Sequence, residues 1–434
     1  MKSPITKLVV TLFCSGFLSL QAATLITPAE VVRLTLVHSP SLKEKETDIL
    51  ISDARQKEAD AGRLPRLDAK AQAHHFEGLE NNPLAPGVSI PVLENQYSAS
   101  IGITQPLYTG GRVTHQKHAA RLTGEAMRHA RDAHSADLTL SALITYWQWS
   151  KSLALSTALL SAIERTSTLA TDTQNLRQAG LATDNDQFAT EVLLDQVRLQ
   201  FEDAVRHADL SRVRLAQLTG RPFTLNDTPE PPAQHEVGHP PTLQEALQNA
   251  ISNRAELASL RLNTRAAMAL TEATRADRRP QLALIARYEQ GNPNTRNFPP
   301  EDQWQDDALI GAAVSWNLFD GGLTRARIAE ARLQATKQQL QLEAQEEAVL
   351  AQVQEALLNF HHACSSLKTA THAESSAKRN LEVANTLWKN GSARHSDALD
   401  AEAKRTLTTA QRIAAESDVR IRRAALKHAM GDTP

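Results

Sequence analysis

Two long stretches of the chain place apolar residues at alternating steps of three and four. In 324–390 this series has one polar member, Glu374. Its apolar members are Val349, Val353, Ala356, Phe360, Ala363, Leu367, Ala370, Ala377, Leu381, Ala384 and Trp388. A similar series in 113–179 consists of Leu122, Ala126, Ala133, Ala136, Leu140, Leu143, Trp147 and Ala154. Such a heptad seam predicts coiled-coil helices, and the frequent alanines predict that these helices approach closely. Neither stretch contains proline, so each can form one continuous helix.

Two other regions, 65–108 and 280–318, alternate apolar and polar residues with a period of two. The first region alternates at Leu67, Ala69, Ala71 and Ala73, and again at Tyr97, Ala99, Ile101 and Ile103. The second alternates at Leu282, Leu284, Ala286 and Tyr288, and again at Ala308, Ile310, Ala312, Val314 and Trp316. Each region is therefore predicted to be a β-hairpin. Strands of this length cross a bilayer when tilted, but a soluble hairpin with a small core has the same alternation.

The chain matches itself when it is displaced by 215 residues at the start of each half and by 211 further along. The matched landmarks are Thr27 and Thr242, Pro65 and Pro280, Gly110 and Gly321, Gly180 and Gly391, and Gly220 and Gly431. Landmarks at both ends of each half agree, with a length difference of only four residues between them. The sequence therefore predicts two tandem copies of one structural unit.

Each copy is predicted to contain a helix, a hairpin, a long helix and a further helix. In the first repeat, 24–220, the hairpin spans 65–108 and the later helices span 113–179 and 183–219. In the second repeat, 242–434, these elements span 280–318, 324–390 and 394–430. The helices before the hairpins are predicted at 28–61 and 242–276, and the proline-rich segment 221–241 links the repeats. Glycine follows each long helix, as expected for a left-handed C-cap.

Residues 1–23 have the composition of a secretory signal peptide. Lys2 and Lys7 precede an apolar stretch over 8–20, and small residues follow as far as Ala23. This order of basic, apolar and small residues predicts cleavage after about residue 22 or 23.

Charge and motif content exclude several classes of function. Lys and Arg total 47 against 49 for Asp and Glu, so the chain lacks the basic excess of a nucleic-acid-binding protein. No run of 18 apolar residues occurs, and no transmembrane helix is expected. The sequence contains no phosphate-binding loop, nucleophile elbow or zinc-hydrolase motif, so we expect neither an enzyme nor a cofactor. His74–His75 and His361–His362 lack accompanying carboxylates, and no metal site is predicted.

Four membrane-spanning strands cannot close a barrel alone, because bilayers do not tolerate open sheet edges. If the hairpins enter a membrane, the chain must therefore oligomerise. Two copies supply about eight strands, whose side chains fill the interior, and three supply about twelve, which leave a lumen.

The arrangement of secreted tandem repeats resembles the TolC-like outer membrane efflux protein family. The most specific matches are the segment 104–112, the segment 315–322, and Gly391 together with 397–401. The resemblance implies an α+β membrane protein that forms a homotrimer. Its four strands per chain would contribute to a 12-stranded transmembrane β-barrel in outer membrane lipid. Its long coiled-coil helices would form a periplasmic α-barrel, with the linker 221–241 at the equator.

The resemblance also implies a function. The trimer would be a passive exit duct for efflux or type I secretion, coupled through a periplasmic adaptor (membrane fusion) protein to an inner membrane transporter of the RND, ABC or MFS class. The alternative is a soluble periplasmic coiled-coil adaptor or scaffold. The hairpins that end in Gly-Gly discriminate between them, because an adaptor needs neither.

Two aspartates match the constriction of the family's channel. Asp397 and Asp400 are three residues apart, so they share a helix face. By resemblance, three chains would surround the pore with carboxylates, which favour cations. The alternative is that acidic residues stabilise the first turn of any helix.

Other positions match the tunnel end of the family. By resemblance, closure would involve Asp186, Trp388 and the vicinity of Ala393, which is uncharged but precedes Arg394. Trp388 stands where the family usually has tyrosine, and the alternative is that it is only the last residue of the heptad series. The adaptor-facing turns would be Gly180–Leu181 and Gly391–Ser392.

Overall fold

A computed structural model describes residues 24–78, 82–85, 88–90, 93–231, 241–294, 296–297 and 301–432. The predicted signal peptide and residues 232–240 of the predicted linker lie outside these described residues. Most described residues are helical. No helix among them is both long and apolar enough to cross a membrane.

The α-helices and the long strands repeat in the same order in both halves. The helices are α1 Pro28–His38, α2 Pro40–Ala61, α3 Arg112–Gln178, α4 Asp184–Thr219, α5 Leu243–Asn253, α6 Ala255–Arg275, α7 Leu323–Lys389 and α8 His395–Met430. The strands are β1 Thr24–Ile26, β2 Arg66–His75, β3 Asn82–Ala85, β4 Val88–Ile90, β5 Asn95–Tyr108, β6 Asp227–Pro229, β7 Gln281–Asn292 and β8 Gln305–Ser315. The long helices α3 and α7 each contain 67 residues, and α4 and α8 each contain 36.

The internal contacts divide the chain into two compact units. The first unit consists of the segments up to His38, Thr139–His239 and His362–Ile421. The second consists of Ser39–Leu138, Pro240–His361 and the segment from Arg422. The sheet that contains β2, β5, β7 and β8 belongs to the second unit, and the turns at Gly180 and Gly391 belong to the first.

The helix that opens each repeat is broken, whereas the sequence predicted one continuous helix in each. Pro40 explains the first break, because it lacks an N–H donor and disfavours helical geometry at Ser39. The Ser39 hydroxyl then accepts a 3.2 Å bond from Leu42 N and caps α2. The second break, at Arg254, has no proline. There the buried guanidinium donates to Glu256 and Gln352, at 2.7 and 2.8 Å.

A left-handed glycine lies against each helix break. Gly220, with φ +68°, ends α4, and a Cβ on it would lie 2.2 Å from the His38 ring. Gly431, with φ +80°, follows α8, and a Cβ there would lie 2.8 Å from Arg254 N. The same contact therefore recurs in both repeats, and it leaves no space for a side chain.

The four long strands form one antiparallel sheet in the order β2-β5-β7-β8. Arg66 pairs with Thr104 in the first hairpin, and Gln281 pairs with Ser315 in the second. Displacements of 215 and 211 convert the first pair into the second, so the hairpins share one register. The loop of the first hairpin carries a small extra hairpin, β3–β4, that the alternation did not predict.

An apolar cluster in the first unit surrounds the Tyr146 hydroxyl. Its buried members are Ile26, Val31, Ala142, Tyr146, Trp149 and Leu215. Tyr146 donates a 2.9 Å hydrogen bond to Ile26 O and accepts one of 3.1 Å from Glu230 N. These bonds connect α3 to β1 and to the segment after β6. Strands β1 and β6 pair in parallel. Burial raises the pKa of Tyr146 to about 12.

Along α7 the heptad positions face inward. Val349 and Val353 are fully buried, and the polar member Glu374 binds Arg412 Nε at 2.7 Å. In α3 the corresponding positions are also covered, except Ala154, which is exposed.

Candidate functional site

The two turns that follow the long helices have the same backbone geometry. Gly180 and Gly391 have φ of +75° and +71°, in the left-handed region that glycine favours. The N–H of each glycine bonds to the carbonyl three residues earlier at 2.9 Å, and the next N–H bonds five residues back at 2.8 Å. This is the Schellman ending of a helix. A Cβ on either glycine would meet nothing within 4 Å, and Leu181 is 76% exposed, so both turns are accessible.

Asp186 caps the helix that begins after the first turn. Thr183 and Asp186 form a capping box, in which the carboxylate accepts from Thr183 N at 3.0 Å and also binds the Thr183 hydroxyl. Hydrogen bonds from the side chain and backbone of Thr183 hold the pKa of Asp186 below its usual range. Asp397 has the same place in α8, 211 residues later, and its carboxylate accepts from Arg394 N at 3.2 Å. Helix capping therefore accounts for Asp397 as well as for Asp186.

Capping does not account for Asp400. Its side chain is exposed and makes no hydrogen bond or ion pair with any described residue. The corresponding residue of the first repeat is Ala189, so α4 forms without a carboxylate at this position. Of the two aspartates assigned to the constriction, only Asp397 makes a stabilising hydrogen bond within the described part of the single chain.

His395 occupies the junction of four helices beside the turns. It is the first residue of α8, only 8% exposed, and its ring lies 5.0 Å from that of Trp388 at the end of α7. Nε2 lies 2.7 Å from Thr190 Oγ1 on α4 and 3.4 Å from Thr173 Oγ1 on α3. Burial lowers the pKa of His395, and the nearby Asp186 carboxylate partly opposes this shift. Sequence reasoning missed this residue, because a lone histidine in a sequence with fifteen has no distinguishing pattern.

The three residues predicted for tunnel-end closure are only partly brought together in one chain. Trp388 packs on His395, and the Asp186 carboxylate acts on the same imidazole. The Arg394 side chain is exposed and has no polar partner in the described part of the chain. Any closing contact of Arg394 thus remains a prediction about contacts between chains.

The histidine pairs that the sequence drew attention to belong to a strand and to a long helix. His75 Nδ1 bonds to Asn95 at 2.8 Å, across the first hairpin, and His361 and His362 are exposed on α7. Among the residues with described positions, no three His, Cys, Asp or Glu side chains are grouped as a metal site would require.

Comparisons with known proteins agree with this architecture. The outer membrane efflux protein family matches residues 31–221 and 246–432, one match in each repeat. The outer-membrane channel OprN has a similar fold, with a TM-score of 0.79 at 19% identity over 93% of this chain and 89% of its own. VceC, an outer membrane protein of Vibrio cholerae, has a TM-score of 0.78 at 17% identity over 93% of this chain and 96% of its own. The CmeC outer membrane channel of Campylobacter jejuni has a TM-score of 0.79 at 16% identity over 93% of this chain and 85% of its own. No curated protein matches the chain by sequence.

The fold and the family match define an outer membrane channel of the efflux class, without enzymatic activity. The chain belongs to the outer membrane efflux protein family. Its duplicated helices and four long strands are the two halves of that family's fold. The family match favours the channel over the soluble adaptor or scaffold that the sequence left open.

Proposed function

We propose that three copies of this chain form a 12-stranded outer membrane barrel and a periplasmic helical tunnel, and that the assembly is a passive exit duct. The observation that carries this proposal is the pair of unpaired sheet edges. Among the described residues, neither β2 nor β8 has a partner on its outer side. Bilayers do not tolerate such edges, so further copies must cover them.

The internal duplication predicts the register in which β8 of one copy would pair with β2 of the next. Inside one chain, Ile101 on β5 pairs with Tyr288 on β7, which joins the first repeat to the second. Adding 211 to Ile101 gives Ala312 on β8, and subtracting 215 from Tyr288 gives Ala73 on β2. The equivalent contact between copies therefore places Ala312 of one copy opposite Ala73 of the next. Both residues belong to the apolar series of their strands, so the apolar face continues across the junction.

The Gly-Gly turns support the same closure. Gly110 is covered by the second repeat: Arg279 Nη1 donates to its carbonyl at 2.8 Å, and a Cβ on it would lie 2.8 Å from Ala276 O. Gly321, its counterpart, has nothing within 4 Å of an added Cβ. A displacement of 215 converts Ala276 into Ala61. We infer that the Ala61 region of a neighbouring copy covers Gly321.

Strand number selects the trimer. Two copies give about eight strands, whose interior is filled by side chains, whereas about twelve strands leave a lumen for cargo. A passive role fits a chain without a phosphate-binding loop, so energy would come from an RND, ABC or MFS transporter in the inner membrane. A periplasmic adaptor would dock on the turns Gly180–Leu181 and Gly391–Ser392, whose backbone is accessible.

Disulfide trapping tests the register. In a Cys364→Ala background, Ala73→Cys combined with Ala312→Cys should oxidise to covalent dimers and trimers in outer membranes. Directly opposed strand residues have Cα atoms about 4.5–5.5 Å apart, within disulfide range. The matched control is Ala71→Cys with Ala99→Cys, a pair within one chain, which should oxidise without a change in mass. Ala71→Cys with Ala312→Cys is two residues out of register and should cross-link poorly. Oxidation of the control alone would contradict the assembly.

A further inference from the structure

Two hydroxyl groups determine which nitrogen of His395 carries the proton. Thr190 Oγ1 donates its hydrogen to Asp186 O at 2.7 Å, and Thr173 Oγ1 donates to Leu169 O at 2.8 Å. Each hydroxyl has one hydrogen, so both oxygens can only accept from the imidazole. The contact of 2.7 Å between Nε2 and Thr190 is therefore an N–H···O bond, and the neutral ring carries its hydrogen on Nε2.

The other nitrogen of His395 is buried without a partner. Nδ1 makes no hydrogen bond within the described residues. In the neutral tautomer this atom is an acceptor without a hydrogen-bond donor among the described residues. Protonation would place a hydrogen on the buried Nδ1, which has no acceptor among the described residues, although the carboxylate and the backbone of Asp186 favour the charged ring. The packing of this structure thus favours the neutral ring, in agreement with the lowered pKa of His395.

The position of the ring joins two helical hairpins. His395 and Trp388 flank the turn between α7 and α8, whereas Thr173 and Thr190 flank the turn between α3 and α4. The bonds from Nε2 are contacts that hold one turn against the other. Loss of these contacts would therefore free the whole α7–α8 turn from α3 and α4, and not only the His395 side chain.

All four helices carry charged residues within a few positions of the residues that contact the imidazole. These charged residues are Asp172 and Arg177 on α3, Asp184 and Asp186 on α4, Lys389 at the end of α7, and Asp397 with the adjoining Arg394 beside His395. Arg177 and Asp184 pair with each other at 3.0 Å. Asp186 favours the charged ring, but burial has the larger effect and opposes it.

We propose that His395 is an acid-sensitive latch, which holds the α7–α8 turn against α3 and α4 while neutral and releases it when protonated. This inference rests on the proposed function, because release at the turns would widen the end of the tunnel. Burial of the His395 ring determines the direction of the pH dependence. The open state takes up a proton near the ordinary pKa of histidine, about 6.5, and the closed state only at lower pH. Closure is thus fully favoured above about pH 6.5 and weakens as the pH falls below it.

Amide hydrogen exchange tests the latch without any assumption about transport. The purified full-length assembly is measured from pH 8 to pH 5, and the rates for residues 388–397 are divided by the intrinsic exchange rate at each pH. We expect protection in this segment to fall at least about tenfold on acidification. His395→Gln keeps an N–H donor for Thr190 but does not titrate, so its protection should not change with pH. His372→Gln, which alters an exposed histidine on α7, should behave like the parent. Equal pH dependence in the parent and His395→Gln would overturn the proposal.

Thr190 provides a second variant in case His395→Gln folds poorly. Thr190→Val removes the acceptor of Nε2–H, so the turn should exchange rapidly even at pH 8. Thr190→Ser retains the hydroxyl and should restore protection. If Thr190→Val exchanges like the parent, the bond does not hold the turn and the latch is refuted.

Single-channel conductance then tests the consequence for the pore. The parent should conduct several times more at pH 5 than at pH 8, and His395→Gln should conduct equally at both. A pH-dependent exchange rate with constant conductance would refute the role of the latch in opening the channel. If no variant conducts at any pH, the proposed channel assembly fails, while the exchange data still decide whether His395 is a latch.

Discussion

The indole Nε1 of Trp316 donates a 3.0 Å hydrogen bond to the carbonyl oxygen of Arg278. In the first repeat, Gln105 Nε2 makes the equivalent bond, 2.8 Å long, to the Arg63 carbonyl. The displacements of 211 and 215 relate the donors and the acceptors, respectively. The two repeats therefore keep the same hydrogen bond although the donor side chain differs. Because equivalent residues make equivalent contacts in both repeats, the strand register of one repeat can be used to infer that of the other.

Substitution of the two constriction aspartates should affect cation preference alike but stability differently. Asp400→Ala should weaken the cation preference of reconstituted channels without loss of stability, because this side chain is exposed and has no partner among the described residues. Asp397→Ala should also weaken cation preference, but it removes the carboxylate that bonds to Arg394 N in the first turn of α8 and should cost about 0.3–1 kcal/mol in addition. Reversal potentials in asymmetric salt and thermal unfolding measure the two effects. If Asp400→Ala retains the parent's selectivity, the carboxylates do not form the constriction.

The Tyr146 hydroxyl should be important for the stability of the first unit. Tyr146→Phe leaves Ile26 O and Glu230 N without their partner, and we expect a loss of about 1–3 kcal/mol. Tyr108→Phe changes an exposed tyrosine and is the matched control. Since the pKa of Tyr146 is raised from 10 to about 12, its protonated form contributes full stability below pH 10, and this is lost as the pH rises towards 12. Unfolding midpoints that are equal for the parent and Tyr146→Phe would contradict this account.

The capping box of α4 should respond to acid. Thr183→Ala removes the hydroxyl that accepts from Asp186 N, and we expect a cost of about 1 kcal/mol, visible as faster amide exchange at 184–187. Because the folded pKa of Asp186 is lowered, the stabilisation is complete above its ordinary value and is lost as the pH falls below about 4. Asp186→Asn should abolish that acid dependence. Thr242→Ala, in the capping box of α5, should leave exchange at 184–187 unchanged.

The exposed turns should tolerate substitution structurally but not functionally. Valine at Gly180 or Gly391 strains a left-handed residue without a steric clash, so membrane insertion and oligomer formation should persist. If these turns receive the adaptor, efflux in cells should fall severalfold. Gly78→Val imposes similar strain at φ +77° in the loop after β2, also without neighbours within 4 Å, and efflux should stay normal. Unchanged transport in both turn variants would show that the adaptor docks elsewhere.

Periodic features of the sequence translated directly into structure. The long helices were placed at 113–179 and 324–390, and α3 and α7 begin and end one residue earlier. Alternation identified the four long strands, because packing on one face of a sheet imposes its period on many residues at once. The offsets of 215 and 211 reproduce the hairpin register, since they record insertions between elements and not within them.

Single contacts were not predictable in this way. The break at Arg254 depends on a buried guanidinium whose partner Gln352 is far away in sequence, and no local signal precedes it. Pro40, by contrast, was a visible signal, because a proline inside a predicted helix indicates a break or the first residue of a new helix. His395 becomes distinctive only through Thr190 and Thr173, two threonines on other helices. Strands of three residues, such as β1 and β6, are too short to have a period.

The parallel pair of β1 and β6 has a consequence for biogenesis. Ile26 is among the first described residues, yet its strand partner Pro229 follows two long helices. During synthesis, Ile26 is therefore present long before Pro229. Until then, the apolar cluster around Tyr146 lacks the Glu230 N–H bond that completes it. Completion of this cluster must accordingly wait until the chain has been made as far as Glu230, and a product truncated before Asp227 would lack both the β1–β6 pair and this bond.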